Sequence, residues 1–203
     1  MQTRSSSFLL VGMVVHKVNS EFEHERILVC SRYAGRRCMS ALDVIMSRKS
    51  VRKYKAEEIP KDLMEKILQA GRQAPSAENK QPWHFIIVTN HEIKEKLSKG
   101  IWNTFVKDTA FTIVGCNYVG TAYARKWSKI DTTIALENMV IAAWSLGIGT
   151  CWVGDFKEAE VRKLLKIPVK WKVVSLITFG YPDEPPITTP RKPIDEIVSY
   201  DKF

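Results

Sequence analysis

The stretch Ala74-Pro75-Ser76-Ala77-Glu78-Asn79-Lys80-Gln81-Pro82-Trp83-His84-Phe85 decides the reading of this chain. Two prolines bracket a run of small and polar residues, the composition of a loop. Trp83 to Thr89 then gathers aromatic and β-branched residues, so a strand is expected straight after it. Asn79 and Gln81 each bring an amide donor and an acceptor. That pair suits the edge of a planar heterocycle with alternating carbonyl and N–H groups. It suits equally a structural turn whose amides cap backbone groups.

Toward the N-terminus, Leu63, Ile67 and Leu68 recur at helical spacing behind Ile59-Pro60, and Gly71 closes that helix. Before it lies Arg48-Lys49-Ser50-Val51-Arg52-Lys53-Tyr54, read as an extended basic segment. Alternate residues of an extended chain face one side, so Arg48, Ser50 and Arg52 would converge. Two guanidinium forks flanking a hydroxyl suit a phosphate monoester. A solvated basic stretch is the competing reading. Ser40-Ala41-Leu42-Asp43 is a capping-box pattern and predicts a short helix over 40–47.

Toward the C-terminus, a polar helix is expected over 91–99 and a buried strand over Ala110 to Cys116. Residues 101–108 fit neither pattern. Ser128-Lys129-Ile130-Asp131 reads as another capping box and predicts the longest helix, 129–146, stopped by Gly147. From Met139 to Trp144 that helix is apolar nearly all round, as in a central helix or a subunit interface. Strands are expected over Thr150 to Val153 and Trp171 to Tyr181. Between them Asp155 would cap a helix carrying Val161, Leu164 and Leu165. Gly147 to Asp155 is either a backbone able to approach a ligand closely or a tight helix-to-strand turn. Pro182 to Pro193 reads as an extended arm, with Arg191 and Lys192 available to complete a phosphate site, and Ile197 to Tyr200 as an edge strand, on this sheet or on another subunit's. Interleaved helices and strands imply a mixed α and β chain with helices covering a sheet.

Composition narrows the possibilities. The 203 residues are 45% hydrophobic and 26% charged, which excludes wholesale disorder. No apolar run reaches the roughly 18 residues of a membrane span. Phe8 to Val15 follows Arg4 but is short and has no small-x-small site behind it, so it reads as a strand or an upstream stretch, and a cytoplasmic location is expected. Residues 1–38 are taken as an N-terminal extension without assigned structure, and 39–203 as the domain proper. The formal charge of +9 favours anionic partners without choosing among them. Cys30, Cys38, Cys116 and Cys151 are too few for a disulfide scaffold, and the last two read as small buried hydrophobes. The four histidines show no metal-ligand spacing, so no metal is expected. There is no P-loop and no nucleophile elbow. Gly147-Ile148-Gly149 follows a helix and lacks a timely third glycine, so it is not a dinucleotide fingerprint.

Four segments, in order, resemble the FMN-dependent nitroreductase family. Arg48 to Tyr54 is similar to its R-[RK]-S-x-R-x-[FY] opening, and Ala74 to Phe85 to its A-P-S-x-x-N-x-Q-P-W-x-F segment. Leu146 to Gly154 is similar to its L-G-[LI]-G-[ST]-x-W-x-G turn, and Pro190-Arg191-Lys192-Pro193 holds the usual C-terminal place. The resemblance covers about residues 39–203. It implies an α+β nitroreductase-like fold: a central mixed or antiparallel sheet flanked by helices, a long central helix, and a homodimer with exchanged C-terminal arms.

The resemblance also implies a cofactor site. Arg48, Lys49, Ser50 and Arg52 would hold the FMN phosphate and ribityl chain, with Arg191 or Lys192 helping. Pro75, Ser76 and Asn79 would reach the flavin from the partner subunit. Backbone around Trp152, Val153, Gly154 and Asp155 would lie against the ring, with an N–H directed at N5. Asn103 is a further candidate. The implied reaction passes hydride from NAD(P)H through flavin N5 to a nitro compound or quinone, in ping-pong order, with no catalytic side chain. The same motifs would serve reductive dehalogenation or flavin fragmentation. The alternative from a different class, a basic nucleic-acid-binding module, lacks aromatic residues interleaved with a basic stripe. No nucleic acid and no membrane are expected as partners.

Overall fold

The computed structural model describes residues 39–203, and contacts divide the chain between Asp43 and Val44. In the short described part of the first unit, the capping box forms: Asp43 Oδ2 accepts from the Ser40 backbone N–H at 3.0 Å, and the Asp43 N–H donates to Ser40 Oγ at 3.1 Å. That cap opens α1 (Ala41–Ser47). The expectations for Phe8 to Val15, and for Cys30 and Cys38, lie outside the described residues.

Residues 44–203 are built on four strands: β1 (Trp83–Val88), β2 (Phe111–Tyr118), β3 (Gly149–Val153) and β4 (Trp171–Gly180). Their order is β1-β2-β4-β3, with every strand pair antiparallel. The helices are α2 (Lys61–Arg72), α3 (His91–Leu97), α4 (Ala122–Ser145) and α5 (Glu158–Leu164). This is the expected α+β architecture, with α4 as the long central helix.

Period-two patterning puts a core on each face of the sheet. Phe111 and Ile113 of β2 join Ile177 and Phe179 of β4 under Leu63, Ile67, Leu136, Met139 and Val140, from α2 and α4. The register partners Phe111 and Phe179 stack at 4.7 Å between ring centroids. Val114 and Cys116 of β2 join Leu176 on the other face, with Leu97 from the end of α3, Val106 and Val161 from α5. Both faces are dry, so β2 is buried along nearly its whole length.

Several local expectations are corrected. α4 begins at Ala122, with Thr121 Oγ1 accepting from the Ala124 N–H at 3.1 Å. Ser128 and Asp131 therefore sit buried inside the helix and cap nothing. Lys157, not Asp155, holds the N-cap position of α5, without a side-chain cap bond. Residues 104–108 form a 3-10 turn. Residues 197–200 form no strand in this chain; a 3-10 turn over Ile194–Glu196 precedes them, and the arm from Asp183 onward is largely exposed.

Candidate functional site

The basic segment is stitched to the outer edge of β3. The Val51 N–H donates to the Thr150 carbonyl at 2.8 Å, and Ser50 bridges Thr150 in parallel. Tyr54 inserts its ring and bonds both the Val51 carbonyl (2.6 Å) and Thr178 Oγ1 (2.7 Å). Gly149 and Gly180, partners in register, allow this: a Cβ on either would stand within 2.7 Å of Val51 or Tyr54. Burial pushes the Tyr54 phenol far up, so it stays a neutral donor.

Val51 and Tyr54 face inward, and Arg48, Ser50 and Arg52 lie near enough to the Cys151 thiol to act on it. Burial pushes that thiol up; against this, Arg52, Ser50 and Arg48 each pull it down. Lys53 pairs with Asp183 and Glu184 at 3.9 and 3.3 Å. Arg48 and Arg52 have no carboxylate partner among the described residues. Lys49 is half-buried beside them. Two unneutralised guanidinium groups and a hydroxyl thus share one corner. Arg191 and Lys192 are exposed on the arm, and Arg191 donates only to the carbonyls of Thr189 and Pro190.

The turn after β3 continues from this corner. Val153 is buried, and its carbonyl accepts from Ser175 Oγ at 3.0 Å. Trp152 donates its indole N–H to Glu137 on α4 at 2.9 Å. Beside Gly154 the space is open: a Cβ there would meet nothing within 4 Å. Asp155 accepts the Trp102 N–H at 2.7 Å. Asn103 gives both amide protons away, to the Leu97 and Asp155 carbonyls, and accepts from the Gly100 N–H. Both its amide protons are thus committed to fixing this turn.

The loop before β1 stands apart. Glu78, Asn79 and Gln81 all take positive φ, 51°, 53° and 48°, a cluster that only a well-supported loop holds. Ser76 Oγ accepts the Gln81 N–H at 2.9 Å, and the Asp131 carboxylate accepts the Ala77 N–H at 3.3 Å. Asn79 and Gln81, read as a free heterocycle-recognising pair, bond each other at 3.1 Å. Pro75 and Asn79 are exposed. This loop leads into β1 at one edge of the sheet, while the guanidinium corner flanks β3 at the other. Three strand spacings, about 14 Å, separate those edges. One chain sets the two predicted halves at opposite edges of its sheet.

Sequence reasoning missed the cleft behind this loop. It measures about 630 Å³ and lies between the loop, Tyr118, Trp171 and the first turns of α4. Its aromatic walls come from β2, the start of α4 and β4, so no local pattern announces it.

The chain thus sets an antiparallel sheet between helices, with a cationic segment along one sheet edge. The nitroreductase family model matches residues 45–110 and 98–181. A relative from Methanothermobacter thermautotrophicus, assigned by name to the NADH dehydrogenase/NAD(P)H nitroreductases, is 37% identical over 155 residues, 74% of this chain and 81% of its own. A nitroreductase family protein from Clostridium novyi NT is similar in structure, with TM-score 0.67, 34% identity and coverage of 72% and 87%. NADPH:FMN oxidoreductase from Vibrio harveyi, complexed with NAD+, aligns with TM-score 0.76 and 25% identity, over 80% of this chain and 77% of that one. The chain belongs to the nitroreductase family, and it is an oxidoreductase.

Proposed function

We propose that the protein is an FMN-dependent, NAD(P)H-oxidising reductase of small acceptors such as nitro compounds or quinones. The observation that carries this reading is the pair of unneutralised guanidinium groups, Arg48 and Arg52, gathered with Ser50 at the edge of β3. An FMN phosphate fits that donor set, since each guanidinium offers a planar fork and Ser50 a further hydrogen bond. The open space beside Gly154 fits a flat ring next to it. Bound FMN supplies hydride acceptance and donation. The chain's own residues bind and orient: Arg48, Lys49, Ser50 and Arg52 hold the phosphorylated tail. The Trp152–Asp155 backbone flanks the ring, held by Glu137, Trp102 and Asn103. Backbone donors and nearby cations there stabilise negative charge developing in the site.

The active unit in this reading is a homodimer. Pro75, Ser76 and Asn79 reach the partner's flavin, which removes the difficulty that one chain holds the two halves at opposite sheet edges. Exposed apolar residues support pairing. Ile45 and Met46 on α1 are 54% and 79% exposed, and Ile130 and Ile134 continue one apolar stripe along α4. Ile187, Ile194, Ile197 and Tyr200 line an arm without a core of its own in this chain, and Arg191 and Lys192 would approach the phosphate from it.

The test is direct. Purified protein, or protein incubated with FMN, shows flavin absorbance after gel filtration, and NADH or NADPH bleaches it in the absence of oxygen. Colourless protein that takes up no FMN overturns the reading.

A further inference from the structure

The cleft behind the 75–82 loop has a composition that the cofactor reading does not use. Tyr118, Tyr123, Trp127 and Trp171 wall it, with Tyr118 and Trp171 set edge-to-face at 5.5 Å. Asp131 lines the same space from α4 and is 5% exposed. That carboxylate accepts one backbone N–H, at 3.3 Å, and no cation lies within 4 Å of it among the described residues. A buried carboxylate is costly unless a cation or several donors meet it. The other carboxylate at the cleft, Glu78, is neutralised by Lys80 at 3.3 Å. Lys126 rests over Trp127 at 4.9 Å from the ring centroid, so that aromatic face already attracts positive charge from within the chain.

We propose that this cleft binds a monovalent organic cation carrying an aromatic or alkylammonium group, its charge against Asp131 and its apolar body between the Trp and Tyr rings. Aromatic faces and a buried carboxylate both prefer a weakly hydrated cation to a neutral molecule, and both repel an anion. The loop that forms one wall is the loop expected to reach the partner's flavin. The occupant is therefore the reducible acceptor or a positive group on it; that assignment rests on the flavin reading, whereas the binding site does not.

Calorimetric titration of the full, FMN-incubated protein with three probes tests it: benzyltrimethylammonium, benzyl alcohol and benzoate. The cation should bind tightest. Asp131→Asn keeps a carbonyl oxygen for the Ala77 N–H but removes the charge. It should weaken the cation by about tenfold or more, leave benzyl alcohol unchanged and strengthen benzoate. Equal affinities for the cation and the alcohol overturn the proposal. So does a variant that weakens all three probes alike, which would make Asp131 a support for the loop only. Binding of the cation by protein whose flavin NAD(P)H does not reduce upholds the site and sinks the enzymatic reading instead. In turnover, (4-nitrobenzyl)trimethylammonium should show a lower KM than 4-nitrobenzyl alcohol, and Asp131→Asn should erase that difference.

Discussion

At the residue scale, the alternation of Arg48, Ser50 and Arg52 was legible because an extended segment has a fixed side-chain period. What the sequence could not say is that Val51 and Tyr54 are the inward anchors that aim the other three. Arg48→Ala should lower FMN affinity by about 1.5–3 kcal/mol, the value of a charge-assisted pair, roughly tenfold or more in the dissociation constant. Fluorescence titration with FMN checks this, and unchanged retention would show the phosphate to lie elsewhere. Asn103 teaches the opposite lesson. Its type and position suggested a ligand contact, yet three backbone groups consume its amide. Burial likewise pushes the Cys116 thiol up to about 11, so it is a packing residue and not a nucleophile at neutral pH.

At the element scale, strands were read well and helix starts less so. Aromatic and β-branched runs mark β1 and β4 whatever surrounds them, whereas a helix start depends on which polar side chain is free to cap. Ser128 and Asp131 match the capping pattern but point into the fold, where Ser128 Oγ accepts from Asn117 Nδ2 at 2.7 Å and Asp131 supports the 75–82 loop. Thr121 does the capping. Thr121→Ala should cost about 1 kcal/mol of stability, while Thr121→Ser retains most of it. Urea unfolding monitored by tryptophan fluorescence measures the difference. A larger loss for Thr121→Ser than for Thr121→Ala would contradict this assignment of the cap.

At the scale of the whole molecule, the proposed pairing rests on apolar surface that stays exposed in this chain. Met139 to Val140 and Ala143 fill the interior, and the stripe that continues through Ile130 and Ile134 does not. Ile130→Glu should yield a folded monomer that no longer retains FMN, because each site would lose the loop contributed by its neighbour. Sedimentation velocity and the visible spectrum of the same sample check both parts. A monomer that stays yellow would separate cofactor binding from pairing and refute the shared site.

Local chemistry carries what the sequence determined alone: the strands, the extended basic segment and the polar loop follow from side-chain period, turn residues and charge, which act over a few neighbours. The tertiary structure decided what depends on distant segments meeting. It set the two predicted halves of the site on opposite sheet edges, paired Gln81 with Asn79, tied Asn103 to three backbone groups, and walled a cleft with aromatic rings around one buried carboxylate. Such arrangements come from packing a sheet between helices, and packing is a property of the closed fold, not of any stretch of chain.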